Sequence, residues 1–402
     1  MPLTLKLPAT GGGLQAYRLR DAMPWAPPTS RPVLDRIAYS AAHVVADVQA
    51  DAAPWLDCRI DWDATIAYRR RLWSLGLGVA EAMDTAQRGM GLDWPTSLEL
   101  IRRSLDAARD VPGALIASGC GTDHLAPEAA RSVDDVIRAY EEQMAAIEKL
   151  GGTLIIMASR ALARVARSPA DYERVYDRVL RQARQPVLLH WLGEMFDPAL
   201  KGYWGSDDVD QATDTVLGII EANAAKVDGI KISLLDKDKE IALRRRLPAA
   251  GGPDGRGVRM YTGDDFNYAE LIAGDGAGTL PTHGKSDALL GIFDAIAPAA
   301  SAALAALAAG DTERFHAILA PTVPLSRHIF GAPTRFYKTG VVFMAWLNGH
   351  QDHFTMVGGQ QSARSLPHFC DLFRLADAAG LIEQPEQAVR RMRALLVLHG
   401  IE

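Results

Sequence analysis

The sequence predicts an α/β protein: a (β/α)8 TIM barrel with a short N-terminal β-hairpin before it and a C-terminal helical extension after it. From residue 36 onward, short apolar segments alternate with amphipathic segments of helical period. Parallel strands need such crossover helices, so this alternation indicates a parallel sheet. No GxGxxG motif follows the first apolar segment, which favours a closed barrel over a doubly wound dinucleotide-binding sheet.

Seven segments are predicted strands, because each is short, apolar and bounded by turn residues. They are 36–45, 78–85, 113–119, 152–159, 186–192, 227–233 and 258–264. Closure requires an eighth strand, for which the Gly-rich segment 272–283 is the best candidate. The predicted helices between the strands are 64–76, 94–110, 133–150, 170–184, 210–224 and 235–247, with Asp171, Asp210 and Asp236 as first-turn or capping acids.

The predicted organisation has three parts. Residues 1–35 form an N-terminal hairpin and a Pro-rich linker, residues 36–290 form the barrel, and residues 291–402 form the C-terminal helical extension. From about residue 284 the pattern is helical, and the predicted helices are 286–309, 311–319, 321–330, 337–349, 367–380 and 385–399.

Composition limits the function classes. The 402 residues are 48% hydrophobic with a net charge of -6, which is typical of a soluble globular protein without a nucleic-acid surface. No signal-peptide pattern and no apolar run of about 18 residues is present, so we expect no membrane partner. Cys58, Cys120 and Cys370 are widely spaced and predict no disulfide framework. We therefore expect a cytoplasmic protein.

Polar residues are concentrated at the predicted strand ends, where barrels of this kind carry their chemistry. They are His43 after strand one, Glu81, Asp84 and Thr85 at strand two, Ser159 and Arg160 at strand four, His190 and Glu194 at strand five, Lys231 and Ser233 at strand six, and Gly263, Asp264 and Asp265 at strand seven.

Lys231 is the strongest candidate among these residues. Strand alternation turns Ile230 and Ile232 outward and Lys231 inward, above the small Gly229 that leaves room for its stem. Desolvation lowers the pKa of a lysine, and a neutral amine can form a Schiff base with a carbonyl. The alternative is a structural salt bridge to Asp264.

Several segments resemble the dihydrodipicolinate synthase / N-acetylneuraminate lyase family. "DGIKIS" (228–233) resembles the sixth-strand "GIK" of that family, and "MYTGDD" (260–265) resembles the "SGDD" at its strand seven. Residues 296–311 and 318–349 are similar to the helices after its eighth strand. The resemblance covers roughly 36–383 and implies that Lys231 forms a Schiff base with a 2-oxo acid.

The chain departs from the family pattern at three strand ends. The "GTTGE"-like loop that binds the substrate carboxylate is "MDTAQRG" here, so Thr85 keeps a hydroxyl while Asp84 would repel a carboxylate. His190 stands where the resemblance implies a proton-shuttling tyrosine, and histidine suits acid–base work at neutral pH. Ser159 and Arg160 replace the second tyrosine. These departures place the chain in a divergent branch of the family.

The leading functional prediction is a Schiff-base lyase, aldolase or dehydratase acting on a 2-oxo acid or keto-sugar derivative. Lys231 would be the nucleophile and His190 the proton shuttle. The predicted substrate-binding residues are Asp84, Thr85, Ser159, Arg160, Ser233, Gly263, Asp264 and His43. No metal site and no cofactor is expected, and the chain is expected to form a homo-oligomer, a dimer or a tetramer.

Two other functions are compatible with the sequence. The first is a metal-dependent sugar isomerase or epimerase of barrel fold, because His43, Glu81, His190, Glu194 and Asp264 are ligand types that divalent ions accept. The second is a small-molecule sensor that keeps the barrel without its chemistry. For Asp264 and Asp265, capping of the next helix is as good an interpretation as substrate binding.

Overall fold

Eight parallel strands close into a barrel, in the order β10-β3-β4-β5-β6-β7-β8-β9. The computed structural model describes residues 3–9, 12–20, 29–83, 87–249, 255, 257–277 and 282–401. The barrel strands are β3 (Ala38–Ala41), β4 (Gly78–Glu81), β5 (Ile116–Cys120), β6 (Thr153–Ile156), β7 (Val187–Leu192), β8 (Val227–Ser233), β9 (Arg259–Thr262) and β10 (Asp287–Leu290). The predicted TIM barrel is confirmed.

Helices surround the barrel and connect its strands. They are α1 (Trp62–Ser74), α2 (Trp94–Arg109), α3 (Val133–Lys149), α4 (Arg160–Val165), α5 (Pro169–Gln182), α6 (Val209–Ala222), α7 (Lys237–Arg244) and α8 (Tyr268–Ala273). Side-chain caps start several of them. The Asp236 carboxylate accepts from two backbone amides at the start of α7, which satisfies donors that the first helical turn leaves unpaired. Asp171 and Asp210 lie in first turns, as predicted.

The prediction for the eighth strand is wrong. The strand that closes the barrel is β10, whereas residues 272–273 end α8 and residues 274–277 are irregular; residues 278–281 lie outside the described part of the chain. β10 has four residues and is followed almost at once by a helix, so its apolar run had been included in the predicted helix 286–309. A run this short carries no periodicity that separates a strand from a helix.

The C-terminal region is helical. Its helices are α9 (Ile292–Ala295), α10 (Ala297–Ala308), α11 (Thr312–Leu319), α12 (Thr322–Ile329), α13 (Tyr337–Leu347), α14 (Leu366–Ala378) and α15 (Pro385–Leu398). Every residue of α13 is buried, because this helix contacts α9, α12, α14 and α15. None of the helices in the described part of the chain combines the length and hydropathy of a membrane-spanning segment.

The N-terminal hairpin packs against the C-terminal helices. Strands β1 (Thr4–Pro8) and β2 (Leu14–Arg18) pair antiparallel, and β1 contacts both α14 and α15. The Tyr17 hydroxyl donates to a carboxylate oxygen of Asp377 at 2.6 Å. The guanidinium of Arg374 donates to the carbonyl of Pro8 at 2.6 Å. The two ends of the described chain therefore stabilise each other.

Side chains alternate across the barrel wall as expected for strands. Ile230 and Ile232 of β8 join the large core between barrel and helices, while Tyr39, Ala80, Ala117, Ile155, Leu188, Tyr261 and Leu289 belong to a separate cluster inside the ring. Lys231 has the opposite parity to Ile230 and Ile232. It pairs in register with His190 on β7 and with Tyr261 on β9.

Candidate active site

Lys231 is buried at the carboxyl-terminal half of β8, with 6% of its surface exposed. Gly263, directly after β9, makes space for it. A Cβ atom at Gly263 would lie 2.7 Å from Cε of Lys231 and 2.4 Å from the hydroxyl of Ser233. Such separations are far below van der Waals contact, so a side chain at residue 263 would displace the lysine. The glycine of the "GDD" segment thus has a steric function.

Gly229 does not provide the room expected for the lysine stem. A Cβ atom there would lie 2.6 Å from Cε2 of Tyr261 and 2.7 Å from the carbonyl oxygen of Arg259. The aromatic ring of Tyr261 fills this space, and its hydroxyl donates to Asp228 at 2.5 Å. Gly229 therefore accommodates the ring beneath Lys231 and forms the floor of the site.

His190 lies beside Lys231 on the neighbouring strand and is buried. Its Nε2 lies 3.4 Å from the hydroxyl oxygen of Ser233. Burial, followed by the charge of Lys231, lowers the pKa of His190 well below its ordinary value. Both effects oppose a second positive charge in the barrel. The imidazole is therefore neutral at pH 7 and able to accept a proton.

The two aspartates after β9 have different environments. Asp264 Oδ1 accepts from the backbone amides of Phe266 and Asn267 at 2.8 and 3.0 Å, and Oδ2 accepts from the Asn267 side chain at 2.8 Å. These bonds fix the turn after β9. They do not cap the next helix as the capping interpretation expected, because α8 begins at Tyr268 after Asn267 and has no side-chain cap.

The pKa of Asp265 is influenced by the charge of Lys231. Its Oδ1 accepts from the amide of Ile292 at the start of α9, at 2.8 Å. Burial raises the pKa of Asp265 to about 7, although the Ile292 amide and the positive charge of Lys231 both act to lower it. A carboxyl group in this range can exchange a proton near neutral pH. The sequence analysis selected Asp264 for substrate binding, since the letters "GDD" do not distinguish the surroundings of the two aspartates.

Ser159 and Thr122 form a hydroxyl pair on the far side of the mouth. Their Oγ atoms lie 2.6 Å apart, and the Ser159 hydroxyl accepts from the amide of Leu162 in the first turn of α4 at 3.0 Å. Two hydroxyl protons are available and the pair uses one. The second can be donated to a ligand oxygen.

Arg160 borders a cavity at the ends of β5, β6 and β7. The cavity has a volume of about 80 Å³ and is open to solvent; its walls include Arg88, Thr122, Met157, Arg160, Leu192 and Asp197. Met157 also belongs to the cluster inside the ring, so the cavity is part of the barrel mouth. Thr122 belongs to the polar segment 118–123 at the end of the third predicted strand. Asp197 was missed by the sequence analysis, because it follows the end of β7, where strand alternation no longer gives the side-chain direction.

His43 and Glu81 lie in a buried cluster behind the strands. Glu81 receives two hydrogen bonds from Arg69, each of 2.9 Å, and the Nδ1 of His43 lies 2.8 Å from the Asp294 carboxylate. Asp84 and Thr85 lie outside the described residues. In the described part of the chain, no group of three or more His, Cys, Asp or Glu side chains is placed to hold a metal ion.

Comparison with known families matches nearly the whole chain. The family described as "Protein of unknown function (DUF993)" matches residues 5–401. The comparison with curated proteins found no match.

Solved structures with the same fold belong to dihydrodipicolinate synthases and their relatives. One is a prophage protein of the dihydrodipicolinic acid synthase family from E. coli K12 in complex with pyruvate, with 14% identity, 87% of this chain and 100% of that chain covered, and a TM-score of 0.64. Another is the chloride-inhibited dihydrodipicolinate synthase from Acinetobacter baumannii complexed with pyruvate, with 14% identity, 86% and 99% coverage and a TM-score of 0.57. The synthase from Oceanobacillus iheyensis has 14% identity, 85% and 95% coverage and a TM-score of 0.57.

Proposed function

The chain belongs to the DUF993 family of proteins of unknown function, and within that family we propose that it is a Schiff-base-forming lyase, aldolase or dehydratase acting on a 2-oxo acid or keto-sugar derivative. One observation carries the proposal: Lys231 is buried in the barrel mouth, next to a neutral histidine and a carboxyl group that titrates near pH 7. Two structures of the same fold, from E. coli and A. baumannii, are complexes with pyruvate.

The proposed reaction begins at the amine of Lys231. Its ammonium form first loses a proton, and the neutral nitrogen then attacks the substrate ketone, so that a C–N bond forms and the C–O π bond breaks. His190 carries a proton from the nitrogen to the oxygen, which becomes a hydroxyl group. The proton that the ammonium group lost is returned to this hydroxyl group, which leaves as water. The resulting iminium ion accepts the electron pair when the neighbouring C–C bond breaks or when a proton leaves the adjacent carbon.

The surroundings of Lys231 suit this chemistry. Burial disfavours the ammonium form of a lysine. His190 is neutral in the resting site, so its imidazole can take up a proton during the reaction. Ser233, 3.4 Å from His190 Nε2, is a hydroxyl through which the proton can pass. Asp265, in the turn after the neighbouring strand β9, is a second group whose pKa lies near neutral pH.

Exchange of the pyruvate methyl protons in deuterated water tests the proposal without knowledge of the natural substrate. Exchange requires the imine to lose a proton from the adjacent carbon and regain one from solvent. We expect proton NMR to show catalysed exchange by the wild-type protein and none by Lys231→Arg, which keeps a charge but cannot condense. Equal exchange rates for the two proteins would reject the proposal.

We also propose that the protein is a homo-oligomer, a dimer or a tetramer. Trp55 and Leu56, in the loop after β3, are 74% and 80% exposed, and adjacent large apolar residues on a surface commonly mark an interface. Sedimentation equilibrium of the wild type and of Trp55→Ser with Leu56→Ser tests this. A monomeric wild-type protein would contradict it.

A further inference from the structure

Arg88 and Arg160 both line the cavity, and they differ in how many of their N–H groups donate to the protein. Arg88 is buried and uses its whole guanidinium within the protein. It donates to both carboxylate oxygens of Asp123 at 2.8 Å, to the carbonyls of Ala82 and Gly119 at 3.1 and 2.6 Å, and to the side chain of Gln143. An arginine has five N–H donors, and these bonds engage both of its terminal nitrogens and Nε. Arg88 is therefore a structural residue.

Arg160 is held at one end only. Its Nε donates to the Asp197 carboxylate, and Asp197 is itself fixed by the amide of Ala199 at 3.1 Å. The hydrogen bonds within the described part of the chain leave the two terminal nitrogens of Arg160 without a protein acceptor. The side chain is 40% exposed and lines the cavity. The Asp197 carboxylate thus orients the guanidinium of Arg160, and the two terminal nitrogens of that guanidinium can donate to a ligand.

The cavity lies at the same end of the barrel as the proposed reaction centre. Leu192, which lines the cavity, pairs in register with Ser233, two residues beyond Lys231 on β8. Thr122, another residue of the cavity wall, forms with Ser159 the hydroxyl pair that has a second proton to donate. Met157 and Leu192 are apolar parts of the wall.

We propose that Arg160 binds an anionic group, a carboxylate or a phosphate, at the far end of the substrate whose ketone reacts with Lys231. This inference rests on the proposed function and names its substrate class as an oxo compound with a second, distal anion. The planar guanidinium offers two parallel N–H donors, which is the geometry that carboxylate and phosphate groups accept. Arg160 is then a specificity-determining residue, and Asp197 is its positioning residue.

Calorimetric titration with malonate and with inorganic phosphate tests the anion site directly. The variants are Arg160→Gln, Arg160→Lys and the control Arg164→Gln, which changes an exposed arginine one turn later on the same helix. We expect Arg160→Gln to weaken binding of the preferred anion at least tenfold, Arg160→Lys to restore part of it, and Arg164→Gln to bind as the wild type does. The probe that binds more tightly identifies the anion as carboxylate or phosphate.

Three outcomes would overturn the inference. Neither probe binds the wild type, or Arg160→Gln binds as tightly as wild type, or Arg164→Gln loses as much affinity as Arg160→Gln. Methyl-proton exchange with pyruvate separates this failure from failure of the proposed function, since pyruvate has no distal anion. We expect the control Arg164→Gln to keep the wild-type exchange rate. If the wild type shows no exchange but binds the anion through Arg160, the Schiff-base proposal fails and the anion site stands.

Discussion

Gly263, directly after β9, lies so close to Lys231 on the neighbouring strand β8 that a Cβ atom on the glycine would sit 2.7 Å from Cε of the lysine. The same atom would lie 2.6 Å from the carbonyl oxygen of Ile232. Neither the backbone of β8 nor the inward lysine could keep its position beside a larger residue. The conformation of Lys231 therefore depends on the absence of a side chain one strand away.

Gly263→Ala is expected to displace Lys231 and to lower Schiff-base formation at least tenfold. Overpacking of this kind costs about 1–3 kcal/mol of unfolding free energy. Borohydride trapping with pyruvate, read by mass spectrometry, measures the adduct, and urea denaturation measures stability. Gly218→Ala on α6 is the control, because nothing lies within 4 Å of its Cβ position. If the Gly263→Ala variant formed as much trapped adduct as the wild type, the steric argument would be refuted.

His190→Asn is expected to lower the rate of pyruvate methyl-proton exchange by about 10²–10⁴-fold, the usual contribution of a positioned proton-transfer group. Because the pKa of His190 lies well below its ordinary value, the wild-type rate should show no inflection from this residue between about pH 6 and 7. Rates are measured by NMR across that range. A merely structural histidine would give near-normal exchange in the variant at unchanged stability.

Asp265→Asn is expected to change how stability depends on pH. The folded-state pKa of Asp265 is raised to about 7, so the folded protein holds this proton in a range where the unfolded chain has lost it. The free energy of unfolding of the wild type, relative to Asp265→Asn, should fall by about 1.4 kcal/mol per pH unit from about pH 4 to 7 and be constant above. Urea denaturation at several pH values measures it, and parallel curves for the two proteins would contradict it.

Glu81→Gln is expected to destabilise the protein by about 3–5 kcal/mol, because it leaves the buried Arg69 charge unpaired. Asp106→Asn is the matched control. It removes the partner of two exposed arginines, Arg102 and Arg109, and should cost less than about 1 kcal/mol. Denaturation with and without added divalent ions distinguishes this role from metal binding. A loss at Glu81 that appears only when metal is present would favour the isomerase alternative.

The sequence predicted those strands and helices that are long enough for their hydrophobic period to be recognised. β8 occupies 227–233 as predicted, and the third predicted helix, 133–150, corresponds to α3 at Val133–Lys149. The short helix α4, of six residues, was not predicted, and β10 was read as part of a helix. Segments of four to six residues complete too little of a period to be identified.

The candidate site was predictable as far as strand alternation reaches. Lys231, Ser233 and His190 lie on regular strands, where parity alone gives the side-chain direction. After the strands end, parity no longer holds, so the sequence did not tell whether Asp264 or Asp265 faces the lysine. It also did not tell that Asp123 engages Arg88 while Asp197 leaves Arg160 partly available. Those pairings depend on where separate loops meet.

The most direct test of Lys231 as the nucleophile is a peptide-resolved mass spectrum of the protein after borohydride reduction with pyruvate. Lys338 of α13 is a second buried lysine and serves as the internal control. We predict that the reduced adduct is found on the peptide containing Lys231 and is absent from the peptide containing Lys338. An adduct on Lys338 alone, or an unmodified Lys231 at saturating pyruvate, would contradict the proposed chemistry.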